Sequence, residues 1–192
     1  MRLGVDDRGV TELVGIAELV SGLNKVAFGM LLEDNDDTET LLPYPADEDL
    51  EESTRAVLAE IAEVEGRRLG RDGIPSIWRQ LARNRHYVAA AWEKYHLLFD
   101  GPGIDPTSKL AVGLGASVTN GCRYFIRYYH DALKHAGWDD GRVLEIFGVV
   151  DFYNSFNTLA NGMQIDSDIR PASGGGSRAL RGNRGAKSRG KI

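Results

Sequence analysis

A stretch near the start of the chain is repeated near its end. Residues 4–15 read GVDDRGVTELVG, and residues 137–148 read GWDDGRVLEIFG. Aligned without a gap at an offset of 133, residues 4–33 match residues 137–166 at ten of thirty positions, against roughly two expected by chance. In the first copy the matched residues are Gly4, Asp6, Asp7, Val10, Glu12, Gly15, Asn24, Ala27, Gly29 and Met30. Similar amphipathic helices do not explain shared glycines, asparagines and an Asp-Asp pair, so a duplicated module is predicted.

The first copy of this module is predicted to be only its final helix. No counterpart of residues 74–136 stands before residues 4–33 in the sequence. A helix with an apolar face must still bury that face. We therefore expect it to pack on the complete module or in a neighbouring subunit. The alternative is that Met1 is not the start of the natural protein.

Hydrophobic periodicity predicts an all-α fold. Apolar residues recur at steps of three and four in nearly every periodic segment, and no strand pattern of comparable length occurs. Gly66 is predicted to end the second helix, Asp105 and Pro106 to open the fifth, and Asn120 to cap the sixth. Asp139 or Asp140 is predicted to cap the last helix. Helices are predicted at 8–32, 53–66, 74–84, 86–100, 106–118, 121–136 and 140–165.

Two sets of apolar residues are predicted to face inward. Aromatic residues at helical spacing are expected in the core: Trp78, Trp92, Tyr95 and Phe99. The first helix is expected to bury the stripe Val10, Leu13, Val14, Ala17, Val20, Leu23, Val26 and Met30.

Charge divides the chain into segments. We predict a partial repeat at 1–33, an acidic linker at 34–52, the main domain at 53–166 and a disordered basic tail at 167–192. The tail lacks aromatic residues for base stacking, so nucleic acid is not an expected partner. Cys122 is the single cysteine, no apolar run is long enough for a membrane span, and no signal peptide is recognisable, so a cytoplasmic location without membrane contact is predicted.

Residues 74–166 resemble a known family. The resemblance is carried by IPSIWRQLARN, by GPGIDP before a helix, by SVTNGCRYFIRYYHDALKHAG and by VLEIFGVVDFYNSFNTLANGM. These phrases are similar to the carboxymuconolactone decarboxylase and alkylhydroperoxidase D-like (AhpD-like) family. The resemblance implies an AhpD-like helical fold and homo-oligomers, trimers or hexamers. It also implies one of two activities: peroxide reduction by a Cys-x-x-Cys dithiol, or lactone decarboxylation without cysteine.

The dithiol that the resemblance implies is incomplete here. The first cysteine position is Cys122, the second is Phe125, and the family's histidine position is Tyr129. On a helix these three fall within roughly 60° of one another, while His130 lies about 100° further round than Tyr129. Without a second thiol, the usual dithiol peroxidase activity is not expected. A one-cysteine peroxidase or redox sensor at Cys122 remains an alternative, as does a buried, inert Cys122.

Decarboxylation would draw on other residues. Arg123, Arg127 and His130 can supply cations for a carboxylate, and Tyr128 or Tyr129 can supply a proton. On the last helix a polar row, which includes Asn154 and Asn157, is either a pocket wall facing Cys122 and Tyr129 or a set of inter-helix contacts. The row consists of Asp151, Asn154, Asn157 and Asn161.

Two hypotheses for function follow. The first is an enzyme with a diverged site at Cys122, Tyr129 and His130 that acts on a small organic acid, lactone or peroxide. The second is a catalytically inactive structural or binding subunit. The histidines are too scattered for a metal site, and neither a metal nor a cofactor is predicted.

Overall fold

The described chain is made entirely of helices and loops. The structure is a computed structural model that describes residues 4–32 and 40–165. No strand occurs within these residues, which confirms the all-α prediction; the predicted disordered tail and residues 34–39 of the predicted acidic linker lie outside them. The helices are α1 Asp7–Gly29, α2 Glu52–Leu69, α3 Ser76–Leu81, α4 Arg85–Phe99, α5 Pro106–Asn120, α6 Arg123–His135 and α7 Asp140–Gly162, with a 3-10 turn at Asp47–Asp49 before α2.

Most helix ends follow from local capping chemistry. Pro106 is the first residue of α5, and the side chain of Asp105 accepts a hydrogen bond from the Ser108 N–H at 2.9 Å, as predicted. The predicted end of α2 at Gly66 is wrong: α2 runs one turn further to Gly70, which has a φ of 64°. The ring of His135 packs over Gly70, where a Cβ would lie 2.3 Å from its Nδ1.

The junction between α5 and α6 also differs from the prediction. Asn120 does not cap α6, because it is the last residue of α5. Gly121 ends α5 with a φ of 68°, a left-handed conformation that glycine adopts without strain. Cys122 follows as the N-cap residue of α6, and its side chain makes no capping hydrogen bond.

The core is built around aromatic rings from α3, α4 and α6. Trp78 packs edge-on against Trp92 and Tyr95, with both ring-centroid distances 5.3 Å. Phe99 stacks on Tyr95 at 4.4 Å and on Tyr129 at 6.1 Å. All five rings are buried, which confirms the predicted core role of the first four.

α1 buries a different face from the predicted one. Val10 and Val14 are 50% and 64% exposed, so the predicted stripe is rotated from the true one. Two polar residues, Glu12 and Asn24, lie on the buried face, so apolar spacing alone does not predict this face. Each of them contacts polar groups inside the protein. The buried residues are Gly9, Glu12, Ile16, Leu19, Val20, Leu23, Asn24 and Ala27.

The sequence repeat is also a structural repeat. α1 and α7 both have 23 residues, and each begins after an aspartate, Asp6 or Asp139, whose side chain accepts the backbone N–H three residues later at 2.8 Å. Each helix ends in the same left-handed turn, at Leu31 with a φ of 54° and at Gln164 with a φ of 53°. The two helices differ in their surroundings: α1 packs mainly against α4 and α5, whereas α7 packs against α5.

Candidate functional site

Cys122 lies deep in the protein. It is 2% exposed, and its Sγ lies 3.8 Å from the backbone oxygen of Asn24 in α1. As an N-cap residue it stands before the first turn of α6 and not within it. A reactive cysteine is normally accessible to its oxidant, so this burial favours the inert interpretation of Cys122.

Tyr129 occupies the family's histidine position and is sealed in the core. It is fully buried, its ring stacks on Phe125 at 5.9 Å, and burial raises its pKa well above the ordinary value. Gly113 makes room for this ring, since a Cβ there would lie 2.6 Å from the Tyr129 Cε1. Among the described residues, the Tyr129 hydroxyl has no hydrogen-bond partner. It therefore has nothing to exchange a proton with at neutral pH.

His130 and Arg123 stand apart from Tyr129. The His130 side chain is 43% exposed, and its Nδ1 lies 3.1 Å from Oδ1 of the adjacent Asp131. Arg123 is exposed at the start of α6. The structure thus separates the predicted catalytic trio, with Cys122 and Tyr129 inside the protein and His130 at its surface.

The asparagine beside Cys122 is Asn24, which the sequence analysis did not name as a site residue. Asn24 is fully buried on α1, and its Oδ1 accepts a hydrogen bond from Ser117 Oγ at 3.4 Å. Its Nδ2 has no partner in the part of the chain that the structure describes. Asn157, its counterpart in the repeat, is exposed on α7, as is Asn154, whose Nδ2 lies 3.5 Å from Thr119 Oγ1. The repeat alignment, which pairs Asn24 with Asn157, was the signal that could have found Asn24.

A second group of polar side chains surrounds the hydroxyl of Tyr128, the residue before Tyr129. The Tyr128 hydroxyl donates a hydrogen bond to Oε2 of Glu65 in α2 and lies 2.7 Å from the Tyr95 hydroxyl. Arg68 bonds Glu65 Oε1 at 2.5 Å and the Tyr95 hydroxyl at 2.9 Å. Glu65 is fully buried, and Tyr128 is 4% exposed. We call Glu65, Arg68, Tyr95 and Tyr128 the Glu65 network; of these residues the sequence analysis named Tyr128 for its chemistry and Tyr95 only as core.

Burial sets the proton affinities of this network. It raises the pKa of Glu65, although the Arg68 charge and the Tyr128 hydrogen bond act in the opposite direction. It also raises the pKa of Tyr95 and Tyr128, which keeps both phenols protonated. Burial alone would lower the pKa of Arg68, but its neighbours Tyr95, Tyr128 and Glu65 raise it overall. A buried carboxyl with a raised pKa marks the Glu65 network as a candidate functional site.

Tyr128 connects the Glu65 network to a cleft. The cleft has a volume of about 760 Å³, and its wall includes Tyr128 together with three arginines. We call it the arginine cleft; its charged lining residues are Arg71, Arg79, Arg127, Asp72 and Asp131. A second cleft of about 710 Å³ lies between residues 43–54 and 82–85. Neither cleft is lined by Cys122, Tyr129 or Arg123.

Across residues 4–32 and 40–165, no helix combines the length and apolar character needed to cross a bilayer. Over the same ranges, no three His, Cys, Asp or Glu side chains cluster in a way that could hold a metal ion.

Comparison with known proteins agrees with this geometry. The crystal structure of the alkylhydroperoxidase AhpD core from Rhodospirillum rubrum matches with a TM-score of 0.58 and 23% sequence identity, covering 68% of this chain and 96% of that chain. The chain is thus an all-helical protein with the AhpD-like fold. Residues 86–167 match the model of the carboxymuconolactone decarboxylase family, so this part of the chain is similar to that family. No curated protein gives a significant match.

Proposed function

We propose that this protein binds a small organic acid or carboxylated lactone in the arginine cleft and acts on it without thiol chemistry. One observation carries the proposal: Tyr128, on the wall of a cleft with three arginines, is hydrogen-bonded to the buried Glu65, whose pKa is raised. Arginine is the side chain best suited to bind a carboxylate. A phenol on the wall of such a cleft can deliver a proton to a bound substrate.

Loss of a carboxylate from such a lactone can be written with these groups. The bond from the ring carbon to the carboxylate breaks, CO₂ leaves, and the electron pair stays on the ring carbon in conjugation with the lactone carbonyl. Tyr128 gives its proton to that carbon, and water in the cleft then returns a proton to the Tyr128 oxygen. Arg127, one turn before Asp131 on α6, would bind the acid group that the product retains.

Thiol-based activities receive less support. The second thiol position is the buried Phe125, and Cys122 is 2% exposed, so both dithiol cycling and one-cysteine peroxide reduction lack access. The closed surroundings of Cys122 and Tyr129 favour a second candidate, a subunit that binds the acid without converting it. Homo-oligomers, trimeric or hexameric, remain a prediction from the family.

Binding and turnover can be tested separately. Calorimetry with a panel of small mono- and dicarboxylates should find a ligand whose affinity falls about 10- to 100-fold in Arg127→Gln, which loses a charge-assisted contact of about 1.5–3 kcal/mol. Arg123→Gln is the matched control, because it removes the same charge one turn earlier on α6 but outside the cleft. Equal loss in both variants, or none in either, contradicts the assignment of the cleft.

Turnover distinguishes the two candidates. CO₂ release from a carboxylated lactone should be lost in Tyr128→Phe while binding persists, since the ring remains and only the hydroxyl is removed. Binding to the wild-type chain without any turnover of the panel would support the non-catalytic subunit instead.

A further inference from the structure

α7 has two apolar faces, and only one of them is covered. Its inner face lies on α5, where Val143 is 4% exposed and Val150 Cγ2 would lie 3.5 Å from a Cβ on Gly115. The opposite face carries large apolar residues at alternating steps of three and four. We call it the α7 stripe: Val149, Phe152, Phe156, Leu159 and Met163, with exposures of 56%, 53%, 57%, 56% and 64%.

In the first copy of the repeat, the residues that match the α7 stripe are buried or partly buried. At the same offset of 133, α1 carries an apolar residue at every position of the stripe: Ile16, Leu19, Leu23, Val26 and Met30. In α1 the first three are 0%, 7% and 3% exposed, and the last two are packed against the core. A seam with this 3.5-residue period is typical of helices that pack along their length. The same seam is therefore covered in one copy and open in the other.

The two longer stretches outside the described residues are poor in apolar side chains. Residues 33–39 read EDNDDTE and contain no apolar side chain. Residues 166–192 contain three large apolar residues in 27 positions, Ile169, Leu180 and Ile192. The groove that holds α1 is filled by α1 itself. Neither stretch carries an apolar pattern that matches the length of the α7 stripe.

We propose that the α7 stripe packs against the same stripe of a second copy, antiparallel across a twofold axis near Phe156. The register places Val149 beside the partner's Met163 and leaves Glu145, the charged residue in line with the stripe, beyond the overlap. Between Val149 and Met163 the stripe carries no charge, so it can face itself without repulsion.

The area of this surface is sufficient for a dimer. One flanking residue within the overlap is exposed as well, Tyr153 at 61%. With it, the open apolar surface is on the order of 600 Å², which matches the lower end of what one partner contributes to an interface of standard size. An apolar patch of this extent lies at the upper end of what monomeric proteins expose.

The test is the mass of the full chain in solution, measured by size-exclusion chromatography with light scattering at micromolar concentration. We expect a dimer or a larger assembly of even number, such as a hexamer built from three such dimers. Phe156→Glu should lower the number of chains and remove this contact, while its circular dichroism stays helical. Leu97→Glu is the control, because Leu97 is 66% exposed on α4, away from the stripe. A monomeric wild-type chain, a trimer, or an unchanged mass for Phe156→Glu would each overturn the proposal.

A crosslink tests the register independently of folding changes. In a Cys122→Ala background, Phe156→Cys places one thiol near the proposed axis, where it should form a disulfide with its own copy under mild oxidation. Leu97→Cys in the same background should stay uncrosslinked. If the dimer forms but Phe156→Cys does not crosslink faster than Leu97→Cys, the stripe is not the interface.

Discussion

Glu12 and Lys109 form a buried ion pair whose removal should be costly. Lys109 Nζ lies 2.9 Å from Glu12 Oε2, and the two side chains are 0% and 9% exposed. Lys109 also donates to the carbonyl oxygens of Leu98 and Gly101, while the Glu12 carboxylate accepts the Gly103 N–H at 3.1 Å. Glu12→Gln keeps the shape but leaves the ammonium buried without its counter-charge. Breaking such a pair from one side costs about 3–5 kcal/mol. Since the carbonyls still solvate Lys109, we expect the free energy of unfolding to fall by about 2–4 kcal/mol.

The repeat supplies the control for this experiment. Glu145 is the counterpart of Glu12 on α7 and is exposed, so Glu145→Gln should change the free energy of unfolding by less than about 0.5 kcal/mol. Urea unfolding followed by circular dichroism measures both variants. A loss below about 0.5 kcal/mol for Glu12→Gln, or equal losses in the two variants, would refute the reasoning.

The same pair predicts the pH dependence of stability. The Lys109 hydrogen bond lowers the pKa of Glu12 below its ordinary value, although burial acts against it. A lowered pKa stabilises the folded state above the unfolded-state pKa of about 4.3, and that contribution is lost as the pH falls through the folded-state pKa. The stability of Glu12→Gln should therefore approach that of the wild type in acid and separate from it above about pH 5.

Further predictions concern single contacts. Tyr128→Phe should lower the free energy of unfolding by about 1–3 kcal/mol because Glu65 loses a buried donor, whereas Tyr129→Phe, which removes a hydroxyl without a partner, should leave it unchanged or raise it by up to about 1 kcal/mol. Asp105→Ala should cost about 1 kcal/mol at pH 7. Capping bonds lower the pKa of Asp105 to about 2, so the cost should vanish between pH 4 and 2 in the same urea assay. Cys122 should react with a thiol reagent on the order of 100-fold more slowly in the folded chain than in urea, and equal rates would show that the thiol is accessible.

The elements of the fold could be predicted from the sequence because helical periodicity and capping are local. Asp105 and Asp139 form caps whose geometry depends on the next three residues only. The helix ends that failed are set by glycines as well, because α2 and α5 each end at a glycine with a left-handed φ, Gly70 and Gly121. α2 passes through Gly66 and ends where Gly70 meets the ring of His135, 65 residues away in sequence. With two glycines four residues apart, the local pattern does not decide which of them ends α2.

The buried face of α1 was missed for a related reason. An apolar stripe through Val10 and Val14 is as regular as the true one, and the sequence gives no reason to prefer a face with Glu12 and Asn24 on it. The preference comes from Lys109 and Ser117, which lie about 95 residues later and meet those two side chains in the fold. Polar residues shared by both copies of the repeat were the available signal, because Glu12 and Asn24 both recur, as Glu145 and Asn157.

The proposed function uses Tyr128, which is one residue before Tyr129, the family's histidine position. The two tyrosines have different surroundings. The family's histidine position directs attention to Tyr129, which turns inward, stacks on Phe125 and has a hydroxyl without a partner. Tyr128 is rotated by about 100° on the same helix. That rotation takes its hydroxyl to Glu65, and Tyr128 also lines the arginine cleft. A motif aligned by position does not separate these two residues, because Tyr128 and Tyr129 face different parts of the protein. Under the proposed function, the chemistry of this chain belongs to the Tyr128 face of α6 and not to the face of Tyr129.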